Sequence, residues 1–165
     1  MTAHGPYRIV ILGGGTAGWM CASGLSGLLA AADYDITLIE SDEIATVGVG
    51  EATLPHIKTF NDMIGIDEAE FMRETAGTIK LGIEFVDWLR PGVRYIHPFG
   101  TFGDRWTSTD FQHHWARARL SGTDDRSLQD YSFAVAACHA NGFEHPNSDP
   151  KSIRSTYSYA YHFDA

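Results

Sequence analysis

Residues Arg8 to Leu12 read Arg-Ile-Val-Ile-Leu, an unbroken apolar and largely β-branched run, and Gly13-Gly14-Gly15 ends it. Such a run predicts a strand of a parallel sheet, covered on both faces. The period then becomes helical. Trp19, Met20, Cys21, Ala22, Leu25, Leu28 and Leu29 predict a helix over 17–32 lying on that sheet, with Cys21 packed inside it. Asp33 to Asp35 turns the chain, and Ile36 to Glu40 predicts a second buried strand ending in an acid, so residues 7–40 form a β-α-β unit. Farther on, Ile57, Phe60 and Ile64 share one helical face, with Thr53 as the expected N-cap, Pro55 in the first turn and Gly65 as the stop. Asp67 followed by Glu70 is a variant of the capping box and opens a short helix to about Thr75.

The period changes to two at Ile79. Ile79, Leu81, Ile83 and Phe85 alternate with Lys80, Gly82, Glu84 and Val86, which predicts one strand carrying Lys80 and Glu84 on the same side. Arg90-Pro91-Gly92 reads as a turn, Val93 to Ile96 as a strand, and His97 to Gly100 as a loop. Helices are expected over 110–120 and 127–141, then a polar loop over 142–151. Tyr157, Tyr159 and Tyr161 alternate as packing residues of a strand do, and the apolar approach to Asp164 is expected to lead into a further helix. No repeat, heptad or low-complexity tract interrupts the chain.

Composition narrows the classes. The chain has 165 residues, 44% of them hydrophobic, enough for a sizeable core. Its formal charge of −9 opposes affinity for nucleic acid or anionic membranes, so neither is expected as a partner. Met1 to Tyr7 lacks the features of a secretory signal, and no apolar run approaches the roughly 20 residues of a membrane span. With only Cys21 and Cys138, a cytoplasmic location is expected. His113-His114 and the pair His139 and His145 lack metal-ligand spacing, so no metal is expected.

Gly13-Gly14-Gly15-Thr16-Ala17-Gly18 fits G-x-G-x-x-G in the context that gives the pattern meaning: a strand before it, a helix after it and an acid ending the next strand. Gly13 permits the tight turn, Gly15 the approach of a pyrophosphate, and Gly18 close helix–strand packing, while the helix N-terminus at Thr16 and Ala17 supplies partial positive charge. Glu40 stands about 20 residues on, where its carboxylate can accept hydrogen bonds from both ribose hydroxyls of an adenosine and repel a 2′-phosphate. The pattern leaves FAD and NAD open. Val49, Gly50, Glu51 and Ala52, within Gly48 to Thr53, can run backbone past the flavin side of a dinucleotide, or form an irregular loop before a helix. Lys80 reads either as a solvated lysine paired with Glu84 or as an aimed amine.

The string Gly13-Gly14-Gly15-Thr16-Ala17-Gly18-Trp19, the segment Gly48-Val49-Gly50-Glu51-Ala52-Thr53 and the stretch Gly77-Thr78-Ile79-Lys80-Leu81-Gly82-Ile83-Glu84-Phe85 resemble the flavin-dependent tryptophan halogenases in order and spacing. Tyr161-His162-Phe163-Asp164-Ala165 is also similar to that family, and residues 102–155 give the weakest match. The resemblance implies an α/β, Rossmann-like FAD-binding domain of the glutathione-reductase type, incomplete at its C-terminus. Residues 1–165 would be the amino-terminal part of a single FAD-binding and halogenase domain, with helical and β substrate-side segments inserted over about 53–155.

It further implies FADH2 from a separate flavin reductase, chloride or bromide as co-substrate, and hypohalous acid formed from a flavin hydroperoxide. Lys80 stands where that family's lysine guides the oxidant to an electron-rich aromatic such as tryptophan or an indole. The family's Trp-x-Trp-x-Ile-Pro signature is absent, since Trp19, Trp88, Trp106 and Trp115 never take that arrangement. The expectation is therefore a fragment that is inactive alone. Flavin-dependent monooxygenation or epoxidation, and a non-catalytic FAD-binding fragment, are the rival readings.

Overall fold

The computed structural model describes residues 5–44 and 50–164. In chain order its elements are β1 (Tyr7–Leu12), α1 (Thr16–Leu28), β2 (Tyr34–Ile39), β3 (Gly50–Ala52), α2 (His56–Ile64), α3 (Glu68–Glu74), β4 (Thr78–Lys80), β5 (Gly82–Val86), β6 (Arg94–Pro98), α4 (Phe111–Leu120), α5 (Phe133–His139) and β7 (Ala160–Asp164). They form two compact units, one of Met1–Thr78 with Tyr161–Ala165 and one of Ile79–Ala160.

The first unit opens with the expected β-α-β. β1 and β2 are parallel, in register from Tyr7 opposite Tyr34 to Leu12 opposite Ile39. α1 starts at Thr16 but stops at Leu28, short of the expected Ala32, because Leu29 is extended. β2 correspondingly begins at Tyr34, two residues before Ile36, and Glu40 follows directly after its end. Small residues set the packing of α1. A Cβ on Gly24 would lie 3.2 Å from the Phe60 ring, and one on Gly27 would lie 2.9 Å from Ile64, so α2 lies close only because these positions are bare. The two-stranded sheet covers little of its own apolar surface: Val10 and Leu12 are exposed, and so is Cys21, contrary to the packed position expected for it.

Thr53 does not cap α2. Its hydroxyl donates to the Tyr161 carbonyl at 2.8 Å and accepts from the Tyr161 amide at 3.0 Å, so it ties two distant segments together and is spent before the helix starts. Pro55 precedes α2 with no side-chain cap, and Gly65 ends it at a φ of 76°, as the stop requires. Asp67 caps α3 as expected, accepting from the Glu70 amide at 2.9 Å. β3 pairs antiparallel with β7, Glu51 opposite Phe163. Tyr161 is 1% exposed; its hydroxyl donates to Glu68 at 2.9 Å and its ring lies 5.1 Å from Phe71.

In the second unit the expected single strand over Ile79 to Phe85 is two. β4 ends at Lys80, Leu81 is buried in the break, and β5 pairs antiparallel with β6 from Gly82 opposite Pro98 to Val86 opposite Arg94. Gly82 permits the change: a Cβ there would lie 2.6 Å from the His97 carbonyl oxygen. That pairing also draws His97 and Pro98, expected in a loop, into β6. The expected helix over 127–141 is split as well. A 3-10 turn over Leu128–Tyr131 gives way to α5 at Ser132, whose extended backbone breaks the helix while its hydroxyl accepts from the Val135 amide. α4 follows Asp110 as expected. The core of this unit gathers Ile96, Ala134, Val135, Tyr157 and Tyr159, all buried, so the alternating tyrosines 157 and 159 pack.

Candidate nucleotide site and the Lys80 strand

The glycine loop lies between β1, held in parallel register with β2, and the start of α1. Gly13 has a φ of +122°, a conformation that favours glycine, and its amide donates to the Ile39 carbonyl at 2.9 Å. Gly18 is bare for a steric reason: a Cβ there would lie 1.8 Å from the Gly13 carbonyl oxygen and 3.8 Å from Leu38. Gly15 differs from both. A Cβ on it would meet nothing within 4 Å, so its missing side chain leaves open space over the backbone. No side chain caps α1, and no acid lies in its first turn. These features fit a pyrophosphate, which needs open backbone and the partial positive charge of a helix start.

Glu40 closes over this loop. A Cβ on Gly14 would lie 2.0 Å from Glu40 Oε2 and 2.3 Å from its Cβ, so the middle glycine of the run, given no task by the sequence pattern, is where the acid packs. The Trp19 indole N–H donates to Glu40 Oε2 at 3.3 Å. Neither contact follows from G-x-G-x-x-G, though Trp19 stands directly after it. Thr16 donates its hydroxyl to Glu51 Oε1 at 3.4 Å, which joins the Gly50-Glu51-Ala52 segment to the start of α1. Thus Gly13, Gly15, Thr16, Ala17, Gly18, Glu40, Gly50, Glu51 and Ala52 all belong to the first unit. Gly50, Glu51 and Ala52 form a short strand, β3, rather than an irregular loop. Val49 lies outside the described residues.

Lys80 belongs to the second unit and ends β4. It is half-buried, with Nζ 5.4 Å from the centre of the Phe99 ring, and burial lowers its pKa from the ordinary lysine value. Glu84 is engaged elsewhere. Arg94 grips it with two hydrogen bonds of 3.0 Å each, and this contact holds the Glu84 carboxyl below its ordinary range. Lys80 and Glu84, expected on one side of a single strand, lie in β4 and β5, on either side of the break at Leu81. Among the described residues no cluster of three or more His, Cys, Asp or Glu could hold a metal, and no helix is long and apolar enough to cross a membrane.

Comparison with known proteins agrees with this geometry. The chain is 35% identical to tryptophan 6-halogenase SttH of Streptomyces toxytricini, across all of this chain and 34% of the relative. It is 33% identical to tryptophan 7-halogenase RebH of Lentzea aerocolonigenes, across 96% of this chain and 32% of the relative. Among solved structures, BrvH, a flavin-dependent halogenase from Brevundimonas sp. BAL3, superposes with a TM-score of 0.87 at 40% identity, over 98% of this chain and 31% of that one. Xcc4156, a flavin-dependent halogenase from Xanthomonas campestris, gives 0.86 at 46% identity, over 98% and 31%. The chain thus spans about a third of the length of the proteins it matches. The fold is α/β and Rossmann-like, as the glycine loop and parallel pair require. The tryptophan halogenase family profile matches residues 8–165, and the chain belongs to that family.

Proposed function

We propose that this chain is the amino-terminal part of a single FAD-binding and halogenase domain, acting in FADH2-dependent halogenation of an electron-rich aromatic such as tryptophan or an indole. Gly13, Gly15, Thr16, Ala17 and Gly18 hold the pyrophosphate, Glu40 accepts from the adenosine ribose, and Val49, Gly50, Glu51 and Ala52 run past the flavin side. The open backbone at Gly15 and the uncapped start of α1 support this. Glu40, as an anion beside the ribose, disfavours NADP. A separate flavin reductase supplies the reduced cofactor, and the site of action is the cytoplasm. Reduced flavin, when bound, supplies the activation of oxygen by which chloride or bromide is oxidised to hypohalous acid.

The observation that carries the halogenase reading is Lys80, an amine half-buried over Phe99 with its pKa lowered by desolvation. As an ammonium it donates a hydrogen bond to the hypohalous oxygen; as a neutral amine it attacks the electrophilic halogen. Either way the O–halogen bond breaks, the halogen reaches the aromatic carbon, and the hypohalous oxygen leaves as water with the balance of protons closed by the one the ring loses. The strand holds the stem of the side chain, so the nitrogen is aimed with little freedom.

The test uses the full-length protein with reductase, oxygen, bromide and an indole. Lys80→Ala and Lys80→Met are both expected to abolish brominated product while flavin binding and reoxidation persist. Methionine keeps the length of the side chain and removes the amine, so its failure excludes a packing defect. Bromination by either variant at the wild-type rate overturns the role of Lys80. Direct oxygenation of the substrate by the wild-type protein, without halogen, would make it a monooxygenase.

A further inference from the structure

We propose that Trp19 is a positioning residue for Glu40, holding the carboxylate that receives the adenosine ribose. The inference rests on the ribose reading of Glu40 and adds to it a residue and a reason for adenosine selectivity. Trp19 lies in the first turn of α1 and is 52% exposed, so core packing does not account for its ring. Its one polar group is spent on Glu40, the indole N–H donating to Oε2 at 3.3 Å. The acid also packs against Gly14, where a Cβ would lie 2.3 Å from the Glu40 Cβ. The carboxylate is held by a bare backbone and an indole.

A carboxylate has about four lone-pair sites on its two oxygens. Trp19 occupies one, which leaves Oε1 and the rest of Oε2 for two ribose hydroxyls. Holding the side chain before the nucleotide arrives removes part of the ordering cost of binding. The choice of donor matters too. Indole is a neutral donor, so it orients the acid without cancelling its charge, as arginine would, and the repulsion of a 2′-phosphate survives.

The test measures FAD affinity of the full-length protein by flavin fluorescence for wild type, Trp19→Phe, Glu40→Ala and the double variant, with circular dichroism confirming that each folds. Trp19→Phe is expected to weaken FAD about 3- to 10-fold, the net worth of one ordinary intramolecular hydrogen bond. In the Glu40→Ala background the same change is expected to do nothing further. The preference for ADP over 2′-deoxy-ADP is expected to fall in Trp19→Phe, which a merely structural ring would leave alone. An equal loss in both backgrounds, or an unchanged preference, overturns the positioning role while leaving Glu40 in place. No effect of Glu40→Ala on FAD overturns the ribose reading itself, and the positioning role falls with it.

Discussion

At the scale of residues, the glycines of the loop are bare for different reasons, and the differences are measurable. Gly15 faces open space and has an ordinary φ of −76°, so alanine fits there without strain. Gly15→Ala is expected to leave the thermal midpoint within the scatter of a surface change, about ±0.5 kcal/mol, yet to weaken flavin binding by placing a methyl over the pyrophosphate path. Gly18→Ala drives a Cβ into the Gly13 carbonyl oxygen, so it is expected to lower both stability and affinity, the former by about 1–3 kcal/mol. Melting curves alongside flavin titrations separate the two. A Gly15→Ala protein that binds FAD as the wild type does would remove the pyrophosphate from that backbone. The tight turn at Gly13, the bare positions of Gly15 and Gly18 and the place of Glu40 directly after β2 were legible in the sequence because each belongs to one local strand–turn–helix unit. The contacts of Gly14 and Trp19 with Glu40 were not, because they depend on how the end of β2 closes over the loop.

At the scale of elements, the sequence pattern was most informative where capping chemistry is local. Asp67 and Gly65 each bound a helix as their types predict. It misled where a distant partner took the group. Thr53 has the chemistry of an N-cap, but Tyr161 claims its hydroxyl; alternation ran unbroken through Leu81, but pairing with β6 begins only at Gly82. The split of the helix expected over 127–141 has a local accompaniment just before it. Asp124 accepts from Arg126 through both carboxylate oxygens and from the Tyr131 hydroxyl, and the Arg126 guanidinium lies 4.6 Å from the centre of the Tyr131 ring. The hydrogen bonds from Arg126, then that from Tyr131, depress the Asp124 pKa. A depressed carboxyl stabilises the fold fully above its unfolded value of about 3.9 and loses that contribution as pH falls through the folded value. Asp124→Asn is therefore expected to melt below the wild type at neutral pH, with the gap closing under acid conditions below about pH 4. A gap independent of pH would show that shape rather than charge holds this turn.

At the scale of the whole molecule, charge and apolar exposure act in opposite directions. A net charge of −9 disfavours self-association, as like charge on every copy does. The β1–β2 pair leaves Val10 59%, Leu12 85% and Ile39 47% exposed, although parallel strands are ordinarily covered on both faces. Beside α1 a cavity of about 400 Å³ is lined by Trp19, Phe60, Phe71 and Phe163, and the buried Asn61 amide nitrogen there has no acceptor. Apolar surface of this kind attracts apolar solutes, and its affinity is only weakly sensitive to salt, whereas the repulsion between copies is screened within about 10 Å at 0.1 M ionic strength. Residues 1–165 produced alone are thus expected to enhance the fluorescence of an anilinonaphthalene dye and to remain dispersed at low salt. They should associate as salt is raised. Dye titration and light scattering across a salt series check this directly. A chain that binds no dye and stays monodisperse at high salt would mean that the faces of β1 and β2 are covered in solution, and the exposed positions of Val10 and Leu12 would have to be abandoned.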